Sequence, residues 1–97
     1  MTWQPAVTPL FRRRKKKAPI ALQEAIDSAA RTILTNPLIG QPKVGALTGV
    51  RVYKFKHEGL EYLVAYQLET RKRLIQFLAL GPHENFYRDL QRALRKR

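Results

Sequence analysis

Three strand-like runs follow one another with almost nothing between them: VRVYKFK (residues 50–56), EYLVAYQL (61–68) and RLIQFLAL (73–80). The connecting segments, HEGL and ETRK, are too short for a crossover but long enough for hairpins. Consecutive pairing in an antiparallel meander is therefore the arrangement open to this part of the chain. The middle run is apolar on both of its alternating faces, which is the pattern of a central strand covered from both sides.

The rest of the chain must supply that cover. WQPAVT (3–8) suits a first strand, and Pro5 confines it to a sheet edge. Thr8-Pro9 reads as an N-cap followed by proline at the first helical position, opening a short helix, PLFRRRKKK, that Ala18-Pro19 ends. From Ile20 the apolar positions Leu22, Ile26, Ala29 and Ile33 recur at helical spacing, and Leu34 widens the stripe. This helix stops at Asn36-Pro37, and residues 36–49, rich in Pro and Gly, form a connecting loop. After the meander, Phe86, Leu90, Ala93 and Leu94 mark a C-terminal helix expected to begin near Pro82, with Glu84 and Arg88 as an i,i+4 ion pair and a frayed RKR tail. The order is β-α-α-β-β-β-α. It predicts one small α+β domain over residues 1–97, with helices packed on an antiparallel sheet.

Charge narrows the partners. Lys+Arg number 19 against 7 Asp+Glu, a net charge of +12. A chain so basic attracts polyanions, either nucleic acid or a strongly acidic protein. There is no cysteine, which removes disulfides and thiolate metal sites and suits the cytoplasm. No apolar run approaches the ~20 residues that span a bilayer, and no secretory signal is evident, so no membrane role is expected. Spacings for a serine hydrolase, a zinc protease, a phosphate-binding glycine loop or a metal cluster are missing as well, so neither metal nor cofactor is expected.

The residues able to do chemistry lie in two places. In VRVYKFK, alternation puts Arg51, Tyr53 and Phe55 on one face and Val52, Lys54 and Lys56 on the other. Two lysines about 7 Å apart on one face can hold a phosphate or stabilise a phosphoryl transition state. Equally, they can be solvated charges that discourage edge pairing. In LGPHENFYRDL (80–90), His83 and Tyr87 are one helical turn apart. Histidine can move a proton near neutral pH and a tyrosine hydroxyl can donate or accept, while the structural reading is a helix start with Tyr87 packed on the sheet. The run RRRKKK (12–17) spreads its charge around a helix and suits salt-dependent, sequence-blind phosphate contact.

LTGVRVYKFK, YLVAYQL and LALGPHENFYRDL, in this order of elements, resemble the RelE/ParE superfamily of toxins from bacterial type II toxin–antitoxin systems. The similarity covers almost the whole chain and is densest from Leu47 to Leu90. It implies a small microbial RNase-like fold. In the RelE branch it further implies metal-independent cleavage of messenger RNA in the ribosomal A site, through attack of a ribose 2′-hydroxyl on the adjacent phosphate. Lys54 and Lys56 match that branch's strand lysines, His83 its basic residue after the last strand, and Tyr87 its C-terminal tyrosine. These four are the expected catalytic residues. Arg51, Arg73, Arg88, Arg12, Arg13 and Lys16 are the expected RNA contacts. Leu63 stands where the RelE branch carries an arginine, a cation that Arg51, Arg73 or Arg88 could replace. The implied partners are an acidic antitoxin, the ribosome and messenger RNA. The ParE branch instead binds DNA gyrase and does no chemistry, and a toxin fold that has lost activity and only binds its partner is a third possibility.

Overall fold

The computed structural model of the chain describes residues 2–95, so the fraying expected of Lys96 and Arg97 falls outside the described residues. The first strand, β1, is Gln4–Val7. Thr8 then caps α1 (Pro9–Lys17): its Oγ1 accepts from the Phe11 N–H at 3.1 Å and donates to the Leu78 carbonyl at 2.7 Å. One threonine thus starts the helix and ties it to the sheet. The Ala18-Pro19 break separates α1 from α2 (Ile20–Thr35), whose buried residues Ile26, Ala29 and Ile33 are the predicted stripe.

The loop that follows contains a two-residue strand, β2 (Gln41–Pro42), and a 3₁₀ turn at Gly45–Leu47. The meander is β3 (Arg51–His57), β4 (Leu60–Glu69) and β5 (Leu74–Pro82), and α3 is Phe86–Arg95. The sheet order is β1-β5-β4-β3-β2. β4 is central, and its residues Leu63–Tyr66 are buried on both faces. The pairs within the meander, and β2 with β3, are antiparallel, whereas β1 lies parallel to β5 at the edge. A long excursion through both helices and the meander returns the chain to β1's neighbour, which permits the parallel pairing.

Two apolar layers sandwich this sheet. On one side α1 and α2 cover Val64, Tyr66, Ile75, Phe77 and Leu80, with Phe11, Ile26 and Ile33 as their own contribution. On the other, α3 sets Phe86 and Leu90 against Val52, Leu63, Ala65, Leu78 and Ala79. Strict alternation along β5 would not give these sets. The β4–β5 register slips between Ala65, opposite Ala79, and Tyr66, opposite Phe77. The extra residue, Leu78, lets Leu78 and Ala79 both face α3, and this bulge re-aims the strand beyond it.

The loop after α2 is held by side chains from the sheet. Tyr66 is fully buried; its hydroxyl donates to the Pro37 carbonyl at 2.7 Å and accepts the Gly40 N–H at 2.8 Å. Burial holds the phenol above its usual range, outweighing the opposing pull of the Gly40 N–H and the Arg51 charge. Gly40 is required by contact, because a Cβ there would stand 2.6 Å from the Tyr66 hydroxyl. Replacing Tyr66 by phenylalanine should therefore leave a buried N–H and a carbonyl unpaired and lower stability by about 1–3 kcal/mol. Urea unfolding checks this: the midpoint should fall with its slope unchanged.

Candidate active site

β3 divides its residues between the two layers. Tyr53 and Phe55 pack with the α1/α2 layer, and Val52 is buried in the α3 layer. By alternation Lys54 and Lys56 share the face of Val52, and both are exposed. Lys56, at the open edge of β3, also borders a shallow cleft toward α2.

The strand register brings the second group of residues to the same end. Lys54 is opposite Leu63, which is opposite Gly81; Lys56 is opposite Glu61. The row continues through the His83 N–H, which donates to the Glu61 carbonyl at 3.2 Å. Neighbouring strands are about 4.8 Å apart, so Lys56 and His83 are separated by two strand spacings with Glu61 between them. Sequence reading passed over Glu61, whose side chain shares the lysine face only by virtue of this register.

The helix expected from Pro82 begins later. β5 runs on through Pro82, Asn85 takes a left-handed conformation with φ of 65°, and α3 starts at Phe86. Asparagine tolerates that conformation better than most residues. The first helical amides are met by backbone, the Phe86 N–H donating to the His83 carbonyl and the Asp89 N–H to the Asn85 carbonyl. Because Glu84 precedes the helix, the expected i,i+4 pair with Arg88 is not formed among the described residues. His83 and Tyr87 nevertheless meet, their rings edge-to-face with centroids 6.5 Å apart. Tyr87 is half-buried, with Phe86 against it at 5.3 Å, also edge-to-face. The ammonium of Lys43 lies 5.3 Å from the Tyr87 ring centroid. Nothing in the sequence singles out this loop lysine.

α3 is anchored at its middle as well as at its apolar face. Burial of Phe86 and Leu90 contributes roughly 1.5–3 kcal/mol each. Arg14 reaches across from α1 and donates to the Asp89 carboxylate at 2.9 Å and to the Leu80 carbonyl at 3.4 Å. The hydrogen bond and charge of Arg14, helped by Arg88 and Arg92, hold the Asp89 carboxyl below its ordinary value against the opposing effect of burial.

The other arginines and lysines singled out from sequence lie apart. Arg51 is on the face opposite the lysines, and its guanidinium donates to the carbonyls of Leu38 at 3.1 Å and Gly40 at 2.8 Å. Arg73 sits in the β4–β5 turn at the far end of the sheet, 4.9 Å from the Trp3 ring centroid. Arg88 is exposed on α3, next to Tyr87. Arg12, Arg13 and Lys16 are exposed on α1, whereas Arg14 and Lys15, which pairs with Asp27, are engaged in contacts between helices. Leu63 is fully buried beneath α3, so the α3 face carries no cation at that position. Among the described residues there is no cluster of metal-ligating side chains and no helix long and apolar enough to cross a membrane.

A family described as the ParE-like toxin of type II bacterial toxin–antitoxin systems matches residues 6–91. The chain belongs to that family. It is a toxin of the RelE/ParE type, and the match spans both the meander and the turn that carries His83 and Tyr87.

Solved structures resemble the toxin over nearly its full length. An arginine-to-alanine double mutant of the E. coli toxin RelE in the free state superposes with a TM-score of 0.77 at 15% identity, covering 99% of this chain and 98% of that one. The RelBE2 toxin–antitoxin complex from Mycobacterium tuberculosis gives 0.70 at 20% identity, covering 86% and 100%. The intact E. coli RelBE complex gives 0.70 at 17% identity, covering 84% and 98%. At such identities the likeness establishes the fold. No curated protein matches by sequence.

The Arg14–Asp89 contact gives the toxin a defined acid response. Since the Asp89 carboxyl is depressed in the folded state, its contribution is full above the ordinary carboxylate range near pH 4 and is lost as pH falls through the depressed value. Asp89→Asn should lower stability at pH 7 by less than about 1 kcal/mol, and the gap to the native chain should close toward pH 3. Urea midpoints for both proteins across that range would measure it.

Proposed function

We propose that the toxin cleaves messenger RNA on the ribosome without a metal ion. The observation that carries this reading is the strand register, which sets exposed Lys54 and Lys56 two strands from the turn at His83, whose ring in turn meets Tyr87 on α3. The RelE structures, alike in fold, support it.

In the reaction, the 2′-oxygen of a ribose attacks the adjacent phosphorus as its proton leaves, and the bond from phosphorus to the next 5′-oxygen breaks as that oxygen takes a proton. The products are a 2′,3′-cyclic phosphate and a 5′-hydroxyl. Lys54 and Lys56 stabilise the charge gathered on the non-bridging phosphate oxygens. His83 transfers a proton as general acid or base, and Tyr87, in contact with its ring, orients or exchanges a proton. Arg88, beside Tyr87, and the exposed Arg12, Arg13 and Lys16 contribute phosphate contacts from the helices. Arg51 and Arg73, turned to structural contacts elsewhere, are left out of this assignment.

The partner is an acidic antitoxin segment that folds on the basic surface, with charge pairing and apolar burial offsetting its ordering. The RelBE complexes are toxin–antitoxin pairs of this fold. Both the ribosome and such an antitoxin set the site of action in the cytoplasm.

The second reading, gyrase binding without chemistry, draws on the ParE-like description of the family and on Leu63 where the RelE branch has an arginine. One experiment separates the two. Purified toxin is added to ribosomes programmed with messenger RNA and, in parallel, to gyrase. Cleavage within ribosome-bound transcripts is expected, with His83→Gln, Tyr87→Phe and the Lys54→Ala/Lys56→Ala pair each slowing it about 10²–10⁴-fold while folding and antitoxin binding persist. Intact transcripts together with inhibited supercoiling would overturn the nuclease reading.

A further inference from the structure

The geometry points to Lys43 as the positioning residue of Tyr87, an inference that rests on the proposed function where it concerns cleavage. Tyr87 lies on the first turn of α3, half-buried, with Phe86 and His83 meeting it edge-to-face. Those contacts limit the ring from the helix and the turn. On its sheet side Tyr87 packs against the apolar layer that includes Val52 and Leu63, and the ammonium of Lys43, from the loop after β2, lies 5.3 Å from the ring centroid.

That distance lies within the roughly 6 Å at which a cation is attracted by the ring quadrupole. The lysine is itself well placed to hold a fixed position. Its backbone N–H donates to the Val50 carbonyl at 2.9 Å, just beyond the two-residue pairing of β2 with β3. The preceding loop is pinned by Tyr66 and Arg51 through Gly40. The chain from Pro37 to Lys43 is therefore tied to the sheet at both ends before the side chain leaves it. Leu63 is buried under α3, and Lys43 brings positive charge to the Tyr87 ring from the loop. Charge on the ring and restriction of its orientation arise from one contact.

The test uses the full-length toxin, with Lys43→Met to remove the charge while keeping an unbranched side chain, and Lys43→Arg to keep a cation. In the native chain, nuclear Overhauser contacts between the Lys43 ε-methylene and the Tyr87 ring protons are expected. Their absence in the folded protein overturns the inference whether or not the toxin is a nuclease. On ribosome-bound messenger RNA, Lys43→Met should slow cleavage about tenfold with an unchanged thermal midpoint, and Lys43→Arg should restore most of the rate. In a Tyr87→Phe background, Lys43→Met should cause no further loss, since the hydroxyl that Lys43 positions is already gone; a purely structural lysine would show the same loss in both backgrounds. Equal cleavage by native and Lys43→Met toxin overturns the role of Lys43 and leaves the proposed function standing. No cleavage by native toxin overturns the proposed function, and the Lys43–Tyr87 contact then decides the positioning by itself.

Discussion

A central strand buried on both faces must be covered from both sides, and β4 imposes that condition on the whole chain. Leu63 and Ala65 face one way, Val64 and Tyr66 the other, and all four are inaccessible to water. Two helices precede the meander and take one side. The single helix that follows must take the other. α3 is too short to cover its whole side, because ten residues span only about 15 Å. On that side Lys54 and Lys56 stay exposed on β3, two strands away from the strand that leads into α3.

The helices are tied to the sheet by polar contacts at their ends as well as by apolar packing. Thr8 links the start of α1 to β5, and Tyr66 with Arg51 fixes the loop leaving α2. Arg14 joins α1, β5 and α3 through one guanidinium. Gly81 gives that guanidinium room: a Cβ there would stand 3.0 Å from the Arg14 nitrogen. These contacts span large sequence separations, 75 residues in the case of Arg14 and Asp89. They define where α3, and with it Tyr87, sits over the sheet.

The basic residues divide between two tasks. Arg14, Lys15 and Arg51 are engaged with carboxylates or backbone carbonyls and act within the fold. Lys54, Lys56, Arg12, Arg13 and Lys16 are exposed and keep their charge available to a polyanion. Composition alone treats all nineteen cations alike. The run RRRKKK contains both kinds, because a helix turns successive residues toward different neighbours.

Much of the architecture was already determined by sequence. Short linkers forced the meander, proline and threonine bounded the first helix, and helical spacing named the buried stripe of the second; each of these is a local rule acting over a few residues. Alternation likewise separated Lys54 and Lys56 from Tyr53 and Phe55. Tertiary structure decided what local rules cannot reach. The bulge at Leu78 changed which β5 residues face α3, since register depends on the packing of both layers. Asn85 delayed the last helix to Phe86 and removed the Glu84–Arg88 pair, because the turn had to aim α3 across the sheet. Arg51 lies on the face that alternation gives it, but its guanidinium is taken up by carbonyls of a loop that sequence leaves without shape. Glu61 and Lys43 joined the candidate site through strand pairing and loop anchoring, contacts between residues distant in the chain that no periodicity records.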